Sequence, residues 1–288
     1  LAEKSLSTAV YPSQAGQTTL SETVGARYIT MQCDIRSSGS RQEIAKALKI
    51  LNEPGTLTVA TGGCTRKIEA RCVETAPGER YGGYQIFALQ FVCDYPYFED
   101  PENTAVPIYQ CEKLIGSGTR WYLDDNGELK SESITPGGFQ LPGLLSKRIS
   151  ETNVLNMGDV DTEPTILITM LGEAGSGSLL IYRDKGEQNE QKLELDFPAM
   201  VKRKTEEGTL EETEYIPENG DVITIDIPNR QIYNQKGDNL LSGLSLDSFL
   251  SDFWLQRGNN LIQVENSVSN SCTVVCRYSN KYVEAVIA

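Results

Sequence analysis

The sequence predicts a mainly β protein of two domains, an N-terminal α+β domain followed by a C-terminal β-sandwich or jelly roll. Its 288 residues are enough for two domains that each bury a core. Apolar and polar residues alternate with the period of a strand in many stretches, whereas one stretch near the start has the stripe of an amphipathic helix. Beyond residue 107, turn residues interrupt the chain so often that only short strands fit between them.

The N-terminal domain is predicted to be a sheet crossed by a single helix. From Arg27 to Ile35 every second residue is apolar, which indicates a half-buried strand. Ser40 and Glu43 then form a capping box, and an apolar stripe continues to Leu51, where the sequence Asn-Glu-Pro-Gly ends the helix. The helix is therefore expected to pack on the sheet through one face.

The strand predicted to begin at Tyr84 carries apolar residues on both faces. One face has four of them, and the other has three: Phe87, Leu89, Phe91 and Cys93 against Ile86, Ala88 and Val92. We therefore expect both faces to be covered.

The end of the first domain is predicted between Asp100 and Pro107. Pro96 and Pro101 disfavour a continued central strand, and the acidic residues around them favour solvent. The predicted domains are therefore residues 1–103 and 104–288.

The second domain is predicted to be all-β. Glycine, asparagine, aspartate and proline mark turns in nearly every gap between its short strand patterns. Leu246 to Trp254 alone suggests a helical turn. The predicted strands are residues 120–123, 165–171, 178–182, 192–197, 221–227, 261–265 and 272–278.

The charge of the chain is strongly and unevenly acidic. Its net charge is −14, from 40 acidic and 26 basic residues. Residues 1–103 hold 12 acids and 10 bases, so 28 acids and 16 bases, or −12 of the total, lie beyond the boundary. This balance argues against nucleic acid as a partner. The stretch from Asp184 to Asp221, with twelve acids and five bases, is expected to be an exposed loop or hairpin, or else a docking site for a basic partner.

The sequence has no pattern of catalytic or metal-binding residues. It contains no histidine, which removes the commonest general base and every histidine metal site. The seven cysteines lack the spacing of a zinc site or a disulfide scaffold, and we expect free, buried thiols. Asp124, Asp125 and Glu128 do not match a calcium loop and predict a hairpin tip. No catalytic, cofactor-binding or metal-binding residue is predicted, although an acid-pair hydrolase stays formally possible.

Three aromatic residues are candidates for stacking against a sugar: Trp121, Tyr122 and Trp254. Trp121 and Tyr122 are neighbours on a strand, so they point to opposite faces and at least one of them faces the core. Trp254 lies in the apolar sequence Phe253-Trp254-Leu255. Core packing is the favoured interpretation of each, and glycan contact is the alternative. No run approaches the roughly 18 apolar residues of a membrane helix, so the protein is expected to be soluble.

Four blocks of sequence, in this order, resemble the distal tail protein family of long-tailed, siphovirus-type bacteriophages. They are AGQTTLSETVGARYITMQCDI, SRQEIAKALKILNEPGTLTV, YQIFALQFVCDYPYFED and DFWLQRGNNLIQVENS. The resemblance covers Ala15 to Asp100 and, more loosely, Gly220 to Tyr282. It implies a non-enzymatic virion protein without cofactors, and an additional strand before Leu1.

The same resemblance implies a place and partners. Members of the family form a homohexameric ring at the distal end of the tail tube, from which a galectin-like sandwich carries the baseplate or adsorption apparatus. Expected partners are the tail tube protein, tail-tip or tape-measure-associated proteins and receptor-binding proteins, with assembly in the bacterial cytoplasm. A carbohydrate-binding protein that recognises bacterial surface glycans is the alternative, because it would share the sandwich fold.

Overall fold

The protein is built mainly of β-strands, as predicted, and it divides into two compact units. A computed structural model describes residues 4–9, 18–36, 46, 49–51, 53–61, 63–81, 84–111, 119–123, 129–133, 148–172, 174–204, 210–269 and 271–285. Unit 1 comprises Leu1–Glu102, Gly158–Val160 and Asn280–Ala288, and unit 2 comprises Asn103–Met157 and Asp161–Ser279. The predicted division between residues 103 and 104 did not include the return of Gly158–Val160 and Asn280–Ala288 to unit 1.

Unit 1 contains a six-stranded antiparallel sheet and a separate two-stranded hairpin. The hairpin pairs β1 with β2, and the sheet has the order β22-β7-β5-β6-β3, with β4 also paired to β5. The strands are β1 Lys4–Ala9, β2 Thr18–Val24, β3 Arg27–Arg36, β4 Gly55–Thr61, β5 Cys64–Tyr81, β6 Tyr84–Cys93, β7 Phe98–Glu99 and β22 Lys281–Tyr282.

One face of the β6 strand forms a hydrophobic core cluster of unit 1. Phe87, Leu89 and Phe91 are buried there, and half-buried Leu51 packs against them. Residues 46 and 49–51 are helical, whereas the rest of the predicted helix, including its capping residues Ser40 and Glu43, lies outside the described residues.

The expectation that both faces of β6 are covered is wrong for the second face. Ala88 is exposed there, and Ile86 and Val92 are only half-buried. Tyr28 of β3, which lies opposite Val92, is 62% exposed. We call the surface formed by Tyr28, Ile86, Ala88 and Val92 the open face of unit 1.

Unit 2 contains two larger sheets and two hairpins. The sheets have the orders β11-β8-β21-β13-β18-β19 and β12-β20-β14-β15, and the hairpins are β9-β10 and β16-β17. The strands are β8 Thr104–Cys111, β9 Thr119–Leu123, β10 Leu129–Ser133, β11 Arg148–Ile149, β12 Glu151–Asn156, β13 Thr165–Met170, β14 Gly177–Arg183, β15 Gln191–Phe197, β16 Ala199–Lys204, β17 Leu210–Tyr215, β18 Val222–Asp226, β19 Gln231–Asn234, β20 Gly258–Asn266 and β21 Cys272–Tyr278.

The two larger sheets of unit 2 enclose one hydrophobic core, as a sandwich requires. Ile166 and Ile168 of β13 and Val274 of β21 come from the first sheet, and Ile181 of β14 and Ile262 of β20 come from the second. Each of these side chains is at most 1% exposed. A 3-10 helix at Leu250–Asp252 lies within the stretch where a helical turn was expected.

The cysteines that the structure describes in unit 2 are free and buried. Cys272 and Cys276 lie on one face of β21, and burial raises the pKa of the Cys276 thiol to about 12. In unit 1, Cys93 is buried and free, whereas Cys33, Cys64 and Cys72 are free but only half-buried. The expectation of free thiols is confirmed for these six residues.

Candidate interaction surfaces

Trp254, the third glycan candidate, is anchored in unit 2 through its backbone. Its carbonyl accepts a hydrogen bond of 2.9 Å from Nη1 of Arg183, and its N–H donates one of 3.0 Å to Oε1 of Gln191. The guanidinium carbon of Arg183 lies 5.9 Å from the centre of the indole ring. Trp254 as a whole is half-buried. Its position serves the packing of unit 2, and sugar contact stays a prediction.

Arg183 is a buried cation that organises the loop after β14. It is 1% exposed, and its Nη2 donates to the carbonyl of Asn189 at 3.0 Å. Burial lowers the pKa of the guanidinium, and the neighbouring carboxylates of Asp184 and Asp161 oppose that effect. Nε of Arg183 lies 3.2 Å from the carboxylate of Asp184. The cluster therefore fixes residues 184–190 against the body of the sandwich, which is a structural role.

The other two glycan candidates lie on one short strand. Trp121 is paired with Ser131 and Tyr122 with Lys130 across the β9-β10 hairpin. The side chains of Trp121 and Tyr122 are outside the described residues, as are Asp124, Asp125 and Glu128, so these predictions stay predictions.

Asp221, a buried carboxylate of unit 2, has a structural role. Burial raises its pKa, but hydrogen bonds from the Glu218 N–H, the Tyr215 hydroxyl and the Gln235 amide outweigh burial and lower the pKa overall. The Tyr215 hydroxyl lies 2.7 Å from Oδ2. A general acid needs the opposite shift. The pKa of Asp238 is lowered as well. Both carboxyl groups with a shifted pKa among the described residues are therefore shifted downward.

The acidic stretch between Asp184 and Asp221 contains an exposed hairpin formed by β16 and β17. Arg203 at its outer end binds Asp238 of unit 2 through Nε at 3.2 Å and Nη2 at 2.6 Å. Lys202 pairs with Glu212 across the hairpin. Lys202 and Arg203 of the hairpin are therefore paired within the chain.

A turn in unit 2 exposes large apolar side chains. Leu246 is 94% exposed and Phe249 is 58% exposed. The turn is held on β15, because Ser245 donates its N–H to the Glu194 carbonyl at 2.9 Å and Glu194 donates its own to Oγ of Ser248 at 2.9 Å. Turns usually carry polar residues. The large apolar residues in the turn sequence Leu-Ser-Leu-Asp-Ser-Phe therefore indicate an exposed apolar surface, which was not predicted from the sequence.

The described residues provide neither a cluster of metal ligands nor a membrane-spanning helix. Within the part of the chain that it describes, three or more metal-ligating side chains do not come together at any point. In that same part, no helix has the length and apolar character needed to cross a membrane.

Comparisons with known proteins find similarity at the level of structure. No protein-family model and no curated protein sequence matches the chain. Its fold is similar to the crystal structure of the Dit protein (gp 19.1) of phage SPP1, described as a paradigm of the hub adsorption apparatus in Gram-positive infecting phages. The TM-score is 0.59 at 12% identity, over 98% of this chain and 89% of that one.

Two further similar structures are of the phage P2 baseplate in its activated conformation. The structure with Ca gives a TM-score of 0.43 at 13% identity, over 95% of this chain and 86% of that chain. The structure with Sr gives 0.41 at 13% identity, over 96% and 89%. The similarity to the SPP1 protein covers both units, so the chain has a Dit-like fold and the resemblance predicted from sequence is confirmed at that level.

Proposed function

We propose that this chain is a non-enzymatic structural protein of a bacteriophage or prophage tail. It forms a ring, hexameric as the family resemblance implies, at the distal end of the tail tube, and it serves as the hub to which the baseplate or adsorption apparatus attaches. The observation that carries the proposal is the Dit-like fold over 98% of the chain. Its partners would be the tail tube protein, a tail-tip or tape-measure-associated protein and receptor-binding proteins, and its place would be the virion, after synthesis in the host cytoplasm.

The open face of unit 1 supports assembly into a ring. A closed ring needs two different complementary surfaces on every copy. Ala88 and Tyr28 present apolar and aromatic atoms to solvent on a sheet whose other face is filled by the core. Burial of this open face against a neighbouring copy would remove that apolar surface from water, which is the main driving force of association.

The chemistry of unit 2 also agrees with a role in assembly. Two of its buried polar groups, Arg183 and Asp221, are engaged by loop carbonyls and by hydrogen-bond donors of the same unit. These contacts stiffen loops. A rigid sandwich with an exposed hairpin and an exposed apolar turn suits a platform for other tail proteins.

The mass of the purified protein in solution, measured by light scattering over a range of concentrations, tests the proposal. We expect a species of six times the 31.8 kDa of the chain, seen as a closed ring by electron microscopy. A strict monomer at high concentration, with and without the tail tube protein, would contradict the ring. Binding of that monomer to a bacterial glycan array, lost on Trp254→Ala, would support the carbohydrate-binding alternative.

A further inference from the structure

The last described residues of the chain are built into unit 1. We call residues 280–285 the C-terminal segment. Its strand β22 pairs with β7, with Lys281 opposite Glu99 and Tyr282 opposite Phe98. Asp159 fixes it from another side, because its N–H donates to the Lys281 carbonyl at 2.7 Å and its carboxylate accepts from the Val283 N–H at 3.0 Å. The segment thus has backbone partners from two separate parts of the chain.

Two buried arginines of unit 1 bind the carbonyls of this segment. Arg27 is 6% exposed and Arg66 is 4% exposed. Nη2 of Arg27 donates to the Val283 carbonyl at 2.5 Å, and Nη1 of Arg66 donates to the Glu284 carbonyl. Each guanidinium also lies over a ring, Arg27 at 5.0 Å from the centre of Phe98 and Arg66 at 3.6 Å from that of Tyr282.

Polar and apolar contacts complete the site. The Asp100 carboxylate accepts hydrogen bonds from the Asn280 amide at 2.8 Å and from the Tyr282 hydroxyl at 3.3 Å. Tyr282 and Ala285 pack against the core cluster of Ile68, Cys93 and Phe98. The C-terminal segment therefore supplies part of the hydrophobic core of unit 1.

Removal of the segment would leave buried charges without partners. Hydrogen bonds that involve a charged group are stronger than neutral ones, and a buried donor that loses its acceptor costs more than the bond contributed. Arg27 and Arg66 would each lose a carbonyl, and Arg66 would also lose the ring it stacks on. Relief would require both side chains to move into water, which would open the core around Cys93.

We infer that unit 1 is a discontinuous domain with a built binding site for the C-terminal segment, and that it becomes competent for assembly only when this segment is seated. The part of this inference that concerns assembly rests on the proposed ring. Because all of unit 2 lies between Glu102 and Asn280 in sequence, unit 1 cannot close until the C-terminal segment has been made. A chain that stops before Asn280 would accordingly be kept out of the ring.

Thiol labelling of the full chain and of a chain that ends at Ser279 tests the inference. Cys93 is 0% exposed in unit 1, and Cys272 and Cys276 are at most 1% exposed in unit 2, so each unit has its own reporter. We expect loss of residues 280–288 to raise the labelling rate of Cys93 at least about ten-fold, with Cys272 and Cys276 still protected. Both tryptophans lie in unit 2, and their fluorescence should show that this unit remains folded.

Two substitutions in the full chain test the same inference without truncating the protein. Arg66→Lys keeps the charge but removes the planar group that stacks on Tyr282 and reaches the Glu284 carbonyl, and it should accelerate Cys93 labelling in the same direction. Arg71→Lys is the matched control, because it makes the same substitution on the same strand at a side chain that is 57% exposed. A synthetic peptide of residues 280–288, but not a scrambled one, should slow the labelling of Cys93 in the truncated chain.

Unchanged protection of Cys93 in both the truncated chain and Arg66→Lys would overturn the inference that the C-terminal segment completes unit 1. Ring formation by the truncated chain would overturn its assembly part. If the full chain is monomeric but Cys93 responds as expected, the site for the C-terminal segment stands and the proposed ring fails, so the two ideas are tested separately.

Discussion

Replacement of Tyr215 by phenylalanine should weaken unit 2 by a predictable amount. Tyr215 is 5% exposed, and its hydroxyl donates to Oδ2 of Asp221 at 2.7 Å. The substitution removes one oxygen and keeps the ring, which packs edge-on against Phe197 with the centroids 6.2 Å apart. Asp221 keeps donors from the Glu218 N–H and the Gln235 amide but loses the third. A hydrogen bond to a charged group contributes about 1.5–3 kcal/mol, so we expect a loss of that size.

This loss should appear in thermal unfolding. For a unit of this size, 1 kcal/mol corresponds to about 2–4 °C in Tm, so the Tm should fall by about 3–12 °C. Tryptophan fluorescence is the suitable signal, because both tryptophans belong to unit 2. Tyr233→Phe, which alters a half-buried tyrosine on β19, is the control and should change the Tm by much less.

The effect should also depend on pH at both ends of the scale. The pKa of Asp221 is lowered in the folded state, so its contribution is full above the unfolded value of about 3.9 and is lost as pH falls through the lower folded value. Burial, and next the hydrogen bond to Asp221, raise the pKa of Tyr215, so its contribution is full below about pH 10 and is lost as pH rises through the folded value. The difference in Tm between wild type and Tyr215→Phe should therefore shrink in acid and in strong alkali. An unchanged Tm at neutral pH, or a difference that stays constant into acid, would refute this reasoning.

Two further predictions concern the surfaces. Ala88→Arg on the open face of unit 1 should change the unfolding free energy by less than about 0.5 kcal/mol. It should, however, lower the mass of the assembly measured by light scattering. Leu246→Arg on the exposed turn of unit 2 should leave that mass unchanged. Arg203→Ala removes the two hydrogen bonds to Asp238, so it should speed amide hydrogen exchange in β16 and β17 more than Lys202→Ala does. Because the Arg203 side chain is 45% exposed, the loss of stability should stay below about 1 kcal/mol. Equal exchange in the two hairpin variants, or an unchanged assembly in Ala88→Arg, would count against the respective assignment.

The strands of unit 2 were predictable because their local patterns agree with the tertiary structure. Residues 272–278 were predicted as a strand and form β21 with those bounds, and Cys272, Val274 and Cys276 are buried on one of its faces. Turns behaved similarly, since Gly220 and Gly237 adopt the positive φ angles of 90° and 82° that such turns require. Local sequence signals are sufficient to predict a short strand that lies between two turns with clear turn residues.

The strand β8 was missed because a rule about proline misled the prediction. Pro107 was taken as the end of a boundary segment, but it lies inside Thr104–Cys111, where the pairing with β21 shifts register between Val274 and Val275. A bulge is one of the places where a strand tolerates proline, because no ladder hydrogen bond from its nitrogen is needed there. The sequence alone cannot distinguish such a bulge from the end of a strand, since the partner strand lies more than 150 residues away.

The docking of the C-terminal segment could not have been predicted for a deeper reason. A strand of two residues has no periodicity to detect, and its partners Arg27, Arg66 and Asp100 read in sequence as ordinary charged surface residues. Arginine is almost never fully buried unless it is paired, and the backbone carbonyls that pair it here carry no signal in the side-chain sequence. The candidate glycan residues pose the opposite problem, because aromatic residues are visible in a sequence whether they bind sugar or fill a core. In this chain the contacts that close unit 1 are therefore those least visible in the sequence, and the labelling of Cys93 tests them without assuming a ring.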